Sequence, residues 1–195
     1  MDVAFVLGNG ISRRGLSLSD MNTHGRIYGC NALYRDYTPD VLVATDRPIA
    51  LHIEETGYPS KNKFYTRRPT PGSGALVIPN PYFGFSSGPV ATALAAMEKY
   101  PRIYMIGFDI GPNETQKFNN LYANTEFYKP EGSVPTYTGN WVKQIAQICK
   151  EFPETKFIRV CGNTTARIPE LDAIKNMQHL PMARFVEQLN KQKDF

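Results

Sequence analysis

Five short β-rich runs, each stopped by a small or short polar residue, constrain this chain more than any other feature. Residues 2–7 (Asp-Val-Ala-Phe-Val-Leu) stop at Gly8-Asn9-Gly10, residues 26–30 at Asn31, and residues 41–45 at Asp46. Residues 102–106 stop at Gly107-Phe108-Asp109, and residues 156–160 at Cys161-Gly162-Asn163. Runs of this length bounded by turn residues read as strands of a parallel sheet, buried on both faces. Shorter candidates lie at 63–66 and 75–78. Helical patterns fall between the strands. Residues 89–100 carry Pro89 in a first turn that Ser87 or Gly88 can cap. Residues 140–151 place Trp141, Ile145, Ile148 and Cys149 on one face. Residues 169–193 read as one or two helices broken at Pro181.

Strands alternating with helices predict an α/β fold: a single domain with a doubly wound, mostly parallel, Rossmann-like sheet and a helical C-terminus. The loops 67–88 and 110–139 are long for one compact domain and are expected over the C-terminal edge of the strands. The expected organisation is a core at 1–162 with a helical extension at 163–195 packed on it.

Charge and composition narrow the classes. The chain has 195 residues, with 22 Lys+Arg against 18 Asp+Glu. The resulting formal charge of +4 suits an anionic small ligand. No run of five basic residues occurs, so no nucleic-acid partner is expected. Stretches such as Val3–Leu7 are too short to span a bilayer. The opening Met1-Asp2 lacks the basic and apolar regions of a signal peptide. Cys30, Cys149 and Cys161 are odd in number and far apart, which argues for reduced thiols and a cytoplasmic location. His24, His52 and His179 are isolated, so no zinc site is expected. The apolar positions of the C-terminal segment, among them Leu171, Phe185 and Leu189, pack on their own domain or on a second subunit as a homo-oligomer.

In an open parallel sheet, ligands bind outside the carboxyl ends of the strands. That edge carries Gly8-Asn9-Gly10, Ser12, Asn31, Asp46 and Asp109. The glycines let backbone amides approach a phosphate or ribose, or they make an ordinary tight turn. Asn31 reads a base edge or sugar hydroxyl, or caps a helix at 32–37. Asp46 and Asp109 accept from a ribose hydroxyl, hold a metal, or cap. Ser86-Ser87-Gly88-Pro89 opens the best helix, which is an anion site or a simple cap. Arg13, Arg14, Arg67 and Arg68 are phosphate partners or solvated surface. The spacing of the first loop is neither GxGxxG nor GxxxxGKS, so dinucleotide and Walker readings fail.

Several of these segments together resemble a known group. Gly8-Asn9-Gly10-Ile11-Ser12 resembles the opening Gly-Asn-Gly-Pro-Ser motif of family 42 sialyltransferases and the related DUF115 (MptE-like) proteins. Cys30-Asn31-Ala32-Leu33-Tyr34 is similar to the Cys-Asn-x-x-Tyr segment after the second strand of those sialyltransferases. Pro39–Asp46 is similar to the Pro-Asp-(apolar)-Asp stretch of DUF115. Ser87-Gly88-Pro89, followed by Ile106-Gly107-Phe108-Asp109, is similar to their Ser-Gly helix and Gly-x-Asp strand end. The likeness runs in order over residues 3–162.

The resemblance implies a Rossmann-like nucleotide site at Gly8, Asn9, Gly10, Ser12, Asn31, Ser87, Gly88 and Gly107. It implies Tyr122 and Tyr128 as phosphate ligands. The implied activity is glycosyl transfer from a nucleotide-activated sugar, a CMP-sugar as in the sialyltransferases. The histidine base of that family has no counterpart, since no histidine lies between His52 and His179. The base then falls to Asp109, Asp46 or Tyr137, in that order. One alternative is diphosphate transfer of the MptE type, with Mg²⁺ as cofactor on Asp46 and Asp109. Another is a nucleotide-binding protein without catalysis.

Overall fold

The computed structural model describes residues 2–191 and Phe195. Met1 and residues 192–194, which include the end of the helical reading at 169–193, lie outside them. The elements run β1 (Val3–Leu7), α1 (Leu18–His24), β2 (Arg26–Cys30), β3 (Val41–Val43), α2 (Arg47–Glu55), β4 (Phe64–Thr66), β5 (Leu76–Val77) and α3 (Ser87–Met97). They continue through β6 (Arg102–Ile106), α4 (Gly139–Glu151), β7 (Lys156–Cys161), α5 (Pro169–Asp172), β8 (Met177–Pro181) and α6 (Met182–Asn190).

All strands join one sheet in the order β5-β4-β3-β2-β1-β6-β7-β8, and every pairing is parallel. The chain builds outward from β1 on one side, then returns to β1 and builds outward on the other. This is a Rossmann-like, doubly wound α/β fold. The order reverses at β1 and β6, whose registers run from Val3 opposite Arg102 to Leu7 opposite Ile106.

Alternation along β1 explains the layers. Ala4 and Val6 face α3 and α4, while Val3, Phe5 and Leu7 face α1 and α6. Helices α3 and α4 pack on one face and α1 and α6 on the other, so both faces of the central strands are covered. Helix α3 is buried along nearly its whole length, and its alanines at 91, 93, 95 and 96 allow it to lie close against the sheet. It therefore lacks the one-sided polarity of a surface helix, whereas α4 keeps it with Ile145, Ile148 and Cys149 inward.

The helical reading of 169–193 needs one change. Residues 177–181 form β8, the edge strand beside β7, between the short α5 and α6. Met177 is buried, but Gln178, His179 and Pro181 are exposed. A half-exposed edge strand carries no uniform apolar run, and its terminal proline is the kind an edge tolerates. No described helix is long and apolar enough to cross a membrane.

Candidate functional site

At the switch point the two central strands meet through glycine. Gly8 donates its amide to Ile106 O at 2.8 Å, and Gly10 donates to Gly107 O at 2.9 Å. A Cβ on Gly8 would stand 2.5 Å from the Gly107 carbonyl oxygen, and Gly107 has φ +75 with its own absent Cβ aimed at the Gly8 carbonyl. The two glycines are thus required by each other. The sequence suggested a ligand or a tight turn as the reason; the packing supplies a third.

Above this crossing lies a cleft of about 320 Å³. It is lined by Gly8, Asn9, Gly10, Asn31, Asp46, Ser87, Gly88, Gly107 and Asp109, all singled out from the sequence. Ser12, Tyr122, Tyr128 and Tyr137 lie outside the lining. Arg67, read from the sequence as a phosphate partner or solvated surface, joins the wall, together with Trp141, Asn119, Thr136 and Thr138. Trp141 is visible in the sequence as an apolar-face residue of α4; its place at the cleft depends on how the 110–139 loop folds back.

Asp109 is the knot of the site. It is buried, at 3% exposure. Its carboxylate accepts from Ser12 N, Ser12 Oγ, Asn119 Nδ2, Thr164 Oγ1 and Thr165 Oγ1. Five donors fill the roughly four lone-pair sites of a carboxylate. Asp109 therefore ties three loops together and has no oxygen left for a substrate proton. Arg159 supports the same turn from behind. It is 1% exposed and donates to Phe108 O from Nε and Nη2, to Asp109 O at 3.1 Å and to Ala166 O at 2.7 Å.

The opposite wall is a hydroxyl-amide chain. Ser87 Oγ donates to Asn31 Oδ1 at 3.1 Å and accepts from Thr45 N at 3.0 Å. With its one proton committed, Ser87 Oγ accepts from Thr45 Oγ1, also 3.0 Å away. Asn31 sits at φ 54, a left-handed conformation that asparagine tolerates better than most residues. It opens a short 3₁₀ turn and caps no helix. Its Oδ1 is held by Ser87, so its Nδ2 donors remain for the cleft.

Helix α3 begins at this wall with no side-chain cap on Ser86. Pro89 removes one of the first amides and Val90 N is bonded to Ser86 O, which leaves the amides of Ser87 and Gly88 without a helical acceptor. Asp46 occupies the position before α2, yet its side chain makes no capping bond. Its carboxylate is exposed and borders the cleft.

The remaining candidates have other partners. Asn9 is 7% exposed and bridges Cys30 O and the Arg13 guanidinium. Tyr122 donates to Asp36 at 2.7 Å, and Tyr128 Oη accepts from Ala32 N at 3.2 Å. Both rings stack near Arg35 and fasten the 119–128 segment to the turn after β2. Tyr137 is 74% exposed. Arg67 ties down the carbonyls of Phe83, Gly84 and Phe85. The three cysteines are free, and burial pushes the Cys30 thiol up to about 12. Among the described residues no group of three or more His, Cys, Asp or Glu is placed to hold a metal.

Burial, with the bond to Asp36 adding to it, pushes the Tyr122 phenol up from 10.0 to about 12. A raised folded value means that the stabilisation is complete below pH 10 and is lost as the pH rises toward 12. Denaturant unfolding across that window should show stability falling by about 1.4 kcal/mol per pH unit for such a tyrosine. Tyr122→Phe should flatten the fall; an unchanged slope would mean the phenol is not protected.

The fold is α/β of Rossmann-like class, with a cleft at the topological switch point. No family model, curated protein or solved structure matches the chain.

Proposed function

We propose that the cleft binds a nucleotide or nucleotide-activated sugar, and that the chain transfers the group this donor carries. The observation that carries the reading is the free pair of amides at Ser87 and Gly88, facing the switch-point crevice beside Asn31 and Asp46. A helix start with open donors favours a phosphate. The Asn31 Nδ2 group suits a base edge or ribose oxygen. Trp141 offers a flat apolar wall of the kind that bases and sugar rings lie on.

Asp46 takes the base role in this reading, ahead of Asp109, because its oxygens are uncommitted. The leaving phosphate would be stabilised by the α3 amides. A transfer with Mg²⁺ would give the ion Asp46 as its protein ligand and otherwise phosphate oxygens and water. A second reading is binding without turnover. One observation favours it: of the two carboxylates that line the cleft, five donors occupy one.

Calorimetric titration with CMP, CDP and ADP, each with and without Mg²⁺, tests the shared core of both. Binding of at least one is expected, with Asn31→Ala weakening it about tenfold through one lost hydrogen bond. Asp46→Asn should preserve binding and abolish turnover of the matching sugar donor. Recovery of unchanged donor from the wild type after long incubation would select the silent reading. Strict Mg²⁺ dependence would select diphosphate transfer. If no nucleotide binds under any condition, the proposal fails.

A further inference from the structure

A second cavity, of about 430 Å³, shares no lining residue with the cleft. Its wall includes Arg13, Arg14, Ser17, Asp36 and Tyr122. The paired arginines visible in the sequence take different positions here. Arg14 is exposed and forms no ion pair among the described residues. Arg13 is only 7% exposed.

The partners of Arg13 are all uncharged. Its Nε donates to Gly8 O at 2.8 Å, and its Nη2 donates to Asn9 Oδ1 at 2.9 Å and to Tyr122 Oη at 3.4 Å. Among the described residues Nη1 has no acceptor, yet it is absent from the buried atoms that lack a partner. It therefore keeps contact with solvent. A cation removed from water without a carboxylate is costly, and the usual compensation is an anion. Asp36 is the nearest acid in the chain of bonds, but it reaches Arg13 only through the Tyr122 hydroxyl.

We propose that this cavity is a second ligand site, which takes the phosphate group of a small phosphomonoester on Arg13 and Arg14. Guanidinium groups match phosphate oxygens with paired donors, and one of them is already fixed in place by the loop it supports. Asp36 opposes the anion, so the site discriminates by charge and does not simply gather any polyanion. The proposal does not rest on the nucleotide reading of the cleft.

Inorganic phosphate is the probe, added to the full chain and followed by amide and arginine Nε–H resonances. A saturable shift is expected at residues 13–17, 36 and 122, with the Arg13 Nε–H among the largest. Arg14→Gln, a change at an exposed residue without bonds to lose, should weaken phosphate binding about tenfold. Asp36→Asn should strengthen it, because the neutral amide still accepts from Tyr122 while the repulsion is gone. Shifts confined to Ser87 and Gly88 would place the anion in the main cleft and overturn the proposal. So would a linear, non-saturating response, or an Asp36→Asn variant that binds more weakly. Failure of nucleotides to bind in the cleft leaves all of these readouts intact.

Discussion

Arg159→Met is expected to lower the unfolding free energy by about 3 kcal/mol, among the largest losses any single side chain here should produce. The guanidinium of Arg159 donates to Phe108 O, Asp109 O and Ala166 O from a position that is 1% exposed. Asp109 O keeps a second donor in the Ala166 amide. Phe108 O and Ala166 O are left without one. The buried Phe108 carbonyl costs about 1–3 kcal/mol when orphaned and the half-buried Ala166 carbonyl less, and some of that is offset because the apolar substitute no longer buries a charge. Burial already pushes the Arg159 pKa down, which marks the strain of holding a cation there. Denaturant unfolding with an unchanged m-value measures the loss. A change under about 1 kcal/mol would mean that the turn after β6 holds its shape by other means.

The second large effect is expected at the strand crossing. Gly107→Ala should cost about 2–4 kcal/mol and impair any ligand binding in the cleft. About 1 kcal/mol comes from a non-glycine residue held at φ +75. The rest comes from a methyl group driven into the Gly8 carbonyl, which sits on the ladder that continues β1 beside β6. Gly8→Ala meets the same contact from the other side. The double variant should therefore cost clearly less than the two single losses added, because one displacement relieves both clashes. Strict additivity in equilibrium unfolding would contradict the shared contact.

Much of this architecture is legible locally. The strand readings at 26–30 and 102–106 coincide with β2 and β6, and the shorter runs at 63–66 and 75–78 contain β4 and β5. The runs at β2, β4 and β6 are read easily because strands covered on both faces leave little room for polar residues, whereas β5 is an edge pair with both residues exposed and is read from its apolar residues alone. The cleft residues at strand ends were legible for a related reason: a parallel sheet delivers all its carboxyl ends to one edge. What the pattern does not contain is which ends are neighbours. Asp109 looks like a base by residue type. The donors that saturate it come from loops at Ser12, Asn119, Thr164 and Thr165, far apart in sequence. Tyr122 and Tyr128 were implied as phosphate ligands by the resemblance, and the structure gives both phenols protein partners. The strand β8 escaped because an exposed edge mixes Gln178 and His179 with Met177 and Leu180, a spacing that also fits a helix.

The pairing of Val3 with Arg102 has a consequence for how the chain acquires its site. β1 is made first, and β2 and β3 can gather beside it early. Its other neighbour must wait for the whole first half of the sheet and α3 to be synthesised. At about 5–20 residues per second, that leaves several seconds in which one flank of β1 has no partner. The cleft therefore belongs to the late stages of assembly, and a nascent chain that stops short of β6 has strands but nowhere to hold a ligand.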